Sequence, residues 1–229
     1  MVKALAFNCS PKKERSNTSL ILDPFLEGMR DAGAEVELLY TMRLKINPCM
    51  GEFDCWRKDI GKCFQDDDMN SLYPKLADAD IWVFATPVYV DGVSGPMKDL
   101  FDRLLPLIEG KILLRDGHCR HPRRKGTKGG KVVLVSNCGF YEMDNFDPLL
   151  VHVKAACKNF DREFAGALLR PYGSALSYLL KEGKGGDVID AAKRAGRELV
   201  KNGRMDPETL GVVSRHFSAL EEYLKWVNG

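Results

Sequence analysis

The stretch Asp80–Gly92, DIWVFATPVYVDG, decides the class of fold. Its first half, Asp80–Ala85, is an almost uninterrupted apolar run, which is typical of a strand buried on both faces of a parallel sheet. Its second half, Thr86–Gly92, contains a proline and a glycine and predicts a turn directly after that strand. Since a buried parallel strand needs helices on both faces of its sheet, the stretch predicts an α/β protein.

Strand-like and helix-like segments alternate on both sides of this stretch. Four more strands are predicted at Val2–Phe7, Glu35–Tyr40, Val132–Ser136 and Glu163–Leu169. Helical spacing of apolar residues predicts helices over Ile21–Met29, Asn70–Ala77, Pro96–Leu107, Leu149–Phe160, Val188–Leu199 and Leu210–Leu224. This alternation predicts right-handed crossovers and a doubly wound, five-stranded parallel sheet in a three-layer α/β/α sandwich.

The composition is that of an ordinary globular protein. The chain has 229 residues, of which 45% are hydrophobic and 29% charged, and its formal net charge is +2. A near-neutral charge does not favour nucleic acid, and no apolar run approaches the roughly 20 residues of a membrane span. The chain starts directly with a strand-like run and no leader pattern, so we expect a cytoplasmic protein. We expect one domain over residues 1–229, with an extended cysteine-containing loop at 41–69 and a basic insertion at 111–131.

The segment after the first predicted strand, Asn8–Thr18 (NCSPKKERSNT), is rich in hydroxyl, amide and basic side chains. It leads into a helix N-terminus, where free backbone N–H groups and the helix dipole favour an anion. It contains neither G-x-G-x-x-G nor G-x-x-x-x-G-K, so it predicts a loop that wraps a single phosphate group. The alternative is plain helix capping by Ser16 or Asn17.

Two more loops follow buried strands. Thr86–Gly92 offers Tyr89 as part of a flat apolar surface for an aromatic ring; the alternative is a turn with a core tyrosine. Ser136–Tyr141 offers Gly139, which permits close approach of a ligand or unusual backbone angles, and Phe140, a candidate for ring stacking. The alternative for this loop is a turn that feeds a helix. In a doubly wound sheet, ligands bind beyond the carboxyl ends of such strands.

Together the three loops resemble the FMN-binding, NAD(P)H-dependent reductase branch of the flavodoxin-like superfamily, and within it the iron–sulfur flavoprotein subgroup. The residues that carry the resemblance are Ser10-Pro11, Ser16-Asn17-Thr18, Pro87-Val88-Tyr89, Ser94-Gly95, Met97-Lys98 and Asp102-Arg103. It extends from the first strand to the third loop, and the C-terminal third matches only in outline. Cys9 departs from the small residue that is common before the serine in this family.

The resemblance assigns the cofactor-binding residues. The FMN phosphate would be held by Ser10, Lys12, Ser16, Asn17 and Thr18. The ring would be lined by Pro87, Val88, Tyr89, Val90 and Asp91 and closed on its other side by Asn137, Cys138, Gly139 and Phe140. The flavin carries the redox chemistry and the protein positions it, so no side chain is assigned a catalytic role.

The resemblance implies an oxidoreductase that passes electrons from NAD(P)H through bound FMN to a flavin, a quinone or another small acceptor. It also implies a homodimer or homotetramer. The first alternative is an iron–sulfur flavoprotein that transfers electrons between redox partners, including a protein partner. A weaker alternative is a non-enzymatic module that binds a phosphate-containing ligand.

Three of the seven cysteines, Cys49, Cys55 and Cys63, lie in the extended loop. The iron–sulfur subgroup has a compact C-x2-C-x2-C run and a fourth cysteine soon after it, and the three cysteines match its first, third and fourth positions. Glu52 stands at the second. Clusters usually need four thiolates, and a carboxylate is a harder ligand than a thiolate. The preferred interpretation is a loop that keeps the family's shape without a metal; a cluster with Glu52 in the fourth place is the alternative.

The basic insertion carries eight lysines and arginines between Lys111 and Lys131 against one acid, Asp116. It predicts a solvated loop, with the 2′-phosphate of NADPH, an acidic redox partner or a neighbouring subunit as alternative ligands. His118, Cys119 and His121 form a compact group, but no fourth zinc ligand is nearby. Cys157 falls in a predicted helix and is interpreted as core packing, and Cys138 has no base beside it in the sequence.

Overall fold

The computed structural model describes residues 1–229, in which seven strands are present. They are β1 (Lys3–Asn8), β2 (Glu35–Tyr40), β3 (Ile81–Pro87), β4 (Leu113–Arg115), β5 (His118–Arg120), β6 (Lys131–Asn137) and β7 (Glu163–Arg170). Five form a parallel sheet in the order β2-β1-β3-β6-β7, and β4 pairs with β5 as a separate antiparallel hairpin. The strand order reverses between β1 and β3, which is the switch point where ligands bind in such sheets.

Nine helices connect and cover the strands. They are α1 (Ser19–Asp31), α2 (Asp54–Arg57), α3 (Met69–Asp78), α4 (Gly95–Asp102), α5 (Asp147–Asn159), α6 (Gly173–Lys181), α7 (Gly186–Asn202), α8 (Pro207–Ser214) and α9 (Leu220–Asn228). None of them combines the length and the apolar character that crossing a bilayer requires.

The sheet separates two hydrophobic cores, as the predicted sandwich requires. On one face, α1 and α7 pack with apolar residues of α6 and α8 against the sheet. On the other face, α3, α4 and α5 cover a core that includes Trp82 and Phe84. β3 is buried at every position, which explains its continuous apolar sequence.

Helices α1 and α7 approach each other closely at two glycines. A Cβ atom on Gly28 would lie 1.8 Å from the carbonyl oxygen of Lys193, and one on Gly196 would lie 2.0 Å from that of Phe25. No side chain fits at either position, so the backbones touch directly. Pro24 lies inside α1 and is buried without interrupting the helix.

All five predicted strands of the sheet are confirmed, but several helices differ from the prediction. The helix predicted over Pro96–Leu107 ends at Asp102 and is followed by a short 3-10 turn at Leu105–Leu107, because Pro106 lacks the N–H that would continue it. The helix predicted over Leu210–Leu224 is divided into α8 and α9. Helix α6, which follows β7, was not predicted.

Candidate functional site

The three polar loops meet at the carboxyl edge of the sheet. We call this the three-loop edge; it comprises Cys9–Thr18 after β1, Val88–Ser94 after β3 and Cys138–Glu142 after β6. Hydrogen bonds connect the loops directly: the N–H of Val88 donates to the carbonyl of Asn137 at 2.8 Å, and the amide Nδ2 of Asn137 donates to Thr18 Oγ1 at 2.7 Å. The Ser94 hydroxyl donates to the carbonyl of Cys9 at 2.8 Å. The sheet therefore brings the predicted phosphate and ring segments together.

The first loop presents unused backbone donors at the start of α1. The N–H groups of Lys12, Asn17 and Thr18 make no hydrogen bond within the protein. Lys12 is exposed beside them, whereas Ser10, Ser16 and Thr18 are buried. Free N–H groups at a helix N-terminus, with hydroxyls and a lysine, are a donor set that fits a phosphate.

Asn8 and Ser19, which sequence reasoning did not single out, shape this loop. The Asn8 side chain donates to Ser19 Oγ at 2.9 Å and accepts from the N–H of Ser10 at 3.0 Å. Ser16 Oγ donates to the carbonyl of Lys13 at 2.6 Å and accepts from the N–H of Ser19 at 3.1 Å. Both the capping interpretation and a phosphate cradle are compatible with Ser16, because its hydroxyl caps the helix while the neighbouring N–H groups stay free.

The second loop is a tight turn with an unusual backbone. Tyr89 and Gly92 exchange backbone hydrogen bonds of 3.1 and 3.2 Å, and the two residues between them, Val90 and Asp91, have φ of +47° and +60°. Positive φ at both central positions is the type I′ pattern, which normally uses glycine or asparagine. A β-branched residue in this region is strained by about 1–3 kcal/mol, a feature that clusters at functional sites.

The turn also displays apolar surface at the edge of the sheet. Val90 is 99% exposed and Tyr89 is 48% exposed, so Tyr89 is not the core tyrosine of the alternative interpretation. Pro87 ends β3, and Val88 is half-buried below the turn. An open apolar rim next to free backbone groups suits a flat aromatic ring.

Backbone hydrogen bonds from the segment after β7 hold the third loop in place. Phe140 of this loop is 63% exposed. The N–H groups of Gly173 and Tyr172 donate to the carbonyls of Cys138 and Phe140 at 2.9 and 2.8 Å. Gly139 does not use left-handed backbone angles; that conformation belongs to Tyr172 instead, with φ of +50°. A Cβ on Gly139 would meet no atom within 4 Å, so this position stays open to close approach.

The buried Cys138 thiol is not an activated nucleophile. It donates to the carbonyl of Phe140 at 3.3 Å, and burial raises its pKa above the ordinary value. A thiol with a raised pKa carries little thiolate at neutral pH.

The C-terminal helix covers the third loop, a contact that sequence reasoning missed. Tyr223 of α9 donates to the carbonyl of Gly139 at 3.3 Å, and its ring packs edge-on against Tyr172 with 4.5 Å between centroids. The Tyr141 hydroxyl donates to the carbonyl of Ser218 at 2.9 Å. Helix α9 and the turn before it therefore border the candidate ring site.

The extended loop brings Cys49, Glu52, Cys55 and Cys63 around one small cavity beside the end of α4. The cavity holds about 10 Å³, and no three histidine, cysteine or acidic side chains of the chain are arranged to bind a metal ion. Burial, with Glu52 and the other two cysteines, raises the pKa of Cys55 to about 11. One carboxylate oxygen of Glu52 is buried without a hydrogen-bond partner. The four residues line one cavity, but their arrangement does not fit an iron–sulfur cluster.

A buried ion pair fixes the same loop to α4. Asp67 and Arg103 form two hydrogen bonds of 2.6 and 3.0 Å, and their side chains are 0% and 1% exposed. Asp67 also accepts from the N–H groups of Asn47 and Met69, and Arg103 donates to the carbonyl of Asn47. The pair therefore closes both ends of the loop on the helix that follows the second loop.

The basic insertion is not simply a solvated loop, because much of its charge is used inside the protein. Arg124 donates to the carbonyls of Pro106 and Ile108, and Arg123 pairs with Asp161 at 2.9 Å. His121 contacts backbone carbonyls through Nδ1, and no zinc-binding group forms around it. Cys157 is buried in the core, as predicted.

A family model described as NADPH-dependent FMN reductase matches residues 2–118. The chain belongs to this family. The match covers β1 to β4 and includes the first two loops of the three-loop edge. Family and fold comparisons confirm the predicted family branch, the fold class and FMN as the cofactor.

Curated relatives come from archaea and carry the name iron-sulfur flavoprotein. One from Archaeoglobus fulgidus is 36% identical over 138 residues, covering 60% of this chain and 56% of the relative. One from Methanocaldococcus jannaschii, iron-sulfur flavoprotein MJ1083, is 35% identical over 106 residues, covering 46% of this chain and 53% of the relative. The chain thus spans about half the length of the curated relatives it matches.

Solved structures share the fold at low sequence identity. An FMN-dependent NADH-azoreductase from Bacillus anthracis, in complex with FMN, has a TM-score of 0.61 and 13% identity, covering 88% of this chain and 99% of that one. An NAD(P)H:quinone oxidoreductase from Methanothermobacter marburgensis has a TM-score of 0.62 and 17% identity, covering 87% and 96%.

Proposed function

We propose that the protein is an FMN-dependent oxidoreductase that passes electrons from NAD(P)H to a small acceptor such as a flavin or a quinone. The observation that carries this proposal is the set of unused N–H groups on Lys12, Asn17 and Thr18 at the three-loop edge. They lie in the loop after β1, at the point where the strand order reverses, which is where such folds bind nucleotides. When bound, FMN supplies the hydride and electron chemistry.

The chain's own residues bind and orient the cofactor. Ser10, Lys12, Ser16, Asn17 and Thr18 would hold the phosphate group. Pro87 to Asp91 would border one side of the ring and Asn137 to Phe140 the other, with Phe140 and Tyr89 as its exposed apolar contacts. The hydrogen bond from Asn137 to Thr18 would keep the phosphate and ring segments in a constant relative position.

Binding of FMN and of riboflavin to deflavinated protein tests the phosphate site, with flavin fluorescence as the readout. Hydrogen bonds to a charged group contribute about 1.5–3 kcal/mol each, so loss of the phosphate should weaken binding by about tenfold or more. Ser16→Ala should weaken FMN binding, because it removes the hydroxyl that holds Lys13 and the start of α1 beside the free N–H groups, and should leave riboflavin binding nearly unchanged. The matched control is Ser71→Ala on α3, which removes a hydroxyl that donates to the backbone carbonyl of Asp68.

Equal affinity for FMN and riboflavin would refute the phosphate assignment. If the protein bound neither FMN nor riboflavin, the flavin proposal would be refuted. Bleaching of the bound flavin by NADH or NADPH then tests the reductase activity. A flavin that neither nucleotide reduces would contradict it.

The second candidate is an electron-transfer protein with an iron–sulfur cluster. The convergence of Cys49, Cys55, Cys63 and Glu52 favours it, together with the names of the curated relatives. The cavity of about 10 Å³ between these side chains opposes it. The absorption spectrum of anaerobically purified protein separates the two candidates, because a cluster adds a broad thiolate–iron shoulder to the flavin bands.

We also propose that the protein assembles as a homodimer or homotetramer, as the family resemblance implies. Exposed apolar side chains at the three-loop edge, Tyr89, Val90 and Phe140, would lie at or near the contact. Light scattering of the purified protein measures the assembly, and a monomer at micromolar concentration would contradict it.

A further inference from the structure

A second cavity lies at the opposite edge of the sheet, where β6 and β7 begin. It has a volume of about 410 Å³ and is lined by the β4–β5 hairpin, the end of α5 and the residues that lead into β7. β6 has seven residues, so at about 3.3 Å per residue the cavity is roughly 20 Å from the three-loop edge. It is therefore separate from the proposed flavin site of the same chain.

The lining carries an excess of positive charge. Four cations, Arg115, Arg120, Lys158 and Arg162, face three acids. Two of the acids are already neutralised by cations: Asp161 lies between Arg115 and Arg123, at 3.1 and 2.9 Å, and Glu163 pairs with Lys131 at 2.6 Å.

Only the third acid of the lining, Asp116, has no cationic partner within salt-bridge distance. Lys158 and Arg120 in turn have no acidic partner, and Arg120 donates only to the carbonyl of Cys119. After the internal pairs are formed, the cavity still carries more positive than negative charge.

The strongest indication is the buried guanidinium of Arg162, which has no counter-ion. Arg162 is 6% exposed, stacks 3.6 Å above the ring of Trp82 and donates through Nη2 to the carbonyl of Ala79. Nη2 also donates to the carbonyl of Lys128 at 3.2 Å, while Nε and Nη1 are shielded from solvent and have no hydrogen-bond partner. Burial and the charge of Arg123 lower its pKa to about 9. Buried arginines are normally paired, so the local charge is unbalanced without an added anion.

We propose that this cavity binds a small molecule that carries a phosphate group. Guanidinium groups match the planar, multi-oxygen geometry of phosphate better than other cations do, and the lining supplies three of them. A volume of about 410 Å³ is in the range of small-molecule sites and exceeds the needs of phosphate alone. Eight of the nine residues that line the cavity carry charged or polar side chains, so polar groups such as the sugar of a nucleotide suit the remainder of the ligand.

Calorimetric titration of the flavin-loaded protein tests this site, because bound FMN keeps added phosphate out of the first loop. Inorganic phosphate, pyrophosphate and adenosine monophosphate are titrated at a constant ionic strength of about 0.15 M, which limits non-specific attraction. We expect saturable binding that the double variant R120Q/K158Q weakens by about tenfold or more, since it removes two charge-assisted contacts. Both side chains lie outside the three-loop edge and are free of ion pairs, so the variant should fold and retain its flavin.

The matched control is Lys184→Gln, an exposed lysine between α6 and α7. It should leave binding unchanged. Tighter binding of adenosine monophosphate than of the two inorganic anions would identify a nucleotide-like ligand, and equal binding would identify the phosphate group alone; both support the site. No saturable binding of any probe up to about 10 mM, or equal weakening by Lys184→Gln, would overturn the proposal.

Discussion

The substitution Asp67→Asn should destabilise the protein strongly while preserving the shape of the side chain. Asp67 accepts hydrogen bonds from Arg103 at 2.6 and 3.0 Å and from the N–H groups of Asn47 and Met69 at 2.9 and 3.1 Å. Asparagine keeps one acceptor oxygen and replaces the other with an NH2 group, which is a donor. Arg103, which is 1% exposed, would then be buried without a counter-ion. Removing one partner of a buried ion pair costs about 3–5 kcal/mol.

The pH dependence of this loss follows from the pKa of Asp67. Burial alone would raise it, but the hydrogen bonds from Arg103 and Asn47 outweigh burial and hold the pKa below its ordinary value. A carboxyl with a lowered folded-state pKa contributes stability that is present above its unfolded-state pKa of about 3.9 and lost as the pH falls through the folded value. The difference between wild type and Asp67→Asn should therefore be full at pH 7 and shrink below about pH 4.

Urea denaturation at pH 7 measures the loss directly, and thermal unfolding should show a decrease in Tm of about 6–20 °C for a chain of this size. The matched control is Glu37→Gln, which removes a partner of the exposed ion pair with Lys75, at 2.5 Å, and should cost less than about 1 kcal/mol. If Asp67→Asn costs no more than Glu37→Gln, the pair does not anchor the extended loop and the reasoning fails.

Three further predictions test the packing, the strained turn and the extended loop. Gly196→Ala should destabilise the protein by about 1–3 kcal/mol or more in urea denaturation, because its Cβ would collide with a backbone carbonyl of α1, whereas Gly211→Ala, with open space around it, should not. Val90→Asn should raise the Tm by about 2–4 °C, since asparagine tolerates positive φ, and a lowered Tm would contradict the strain. Alkylation of Cys55 should be slow at pH 8 and accelerate towards its pKa of about 11, while the exposed Cys119 reacts readily; equal rates measured by mass spectrometry would disprove the burial of Cys55.

The sheet could be predicted from the sequence because each buried strand leaves a local signal. The apolar run of β3 and the turn residues after it are adjacent in the chain, so their pattern identifies both the strand and the loop at its carboxyl end. Helix α9 lacks such a signal, because it is separated from α8 by a turn and its position depends on the contact between Tyr223 and Gly139, 84 residues apart.

The candidate site was predictable in outline and not in its supporting contacts. Serines and asparagines at a strand-to-helix junction indicate anion binding by their chemistry, which identifies the first loop. The buried pair of Asp67 and Arg103 joins residues 36 positions apart, and neither local spacing nor composition marks two charged residues as partners. The unpaired charge of Arg162 is likewise a property of burial, which only the folded chain displays.

The close approach of α1 and α7 at Gly28 and Gly196 joins two parts of the chain that could otherwise vary independently. Gly28 lies within residues 2–118, which carry the family's pattern, and Gly196 lies outside them. The N-terminus of α1 lies next to the candidate phosphate donors. Helix α1 therefore packs against α7, a helix outside the residues that the family model matches. A hybrid chain that joins this N-terminal half to the second half of another family member would keep the loop and lose its support, unless both glycine positions were transferred together.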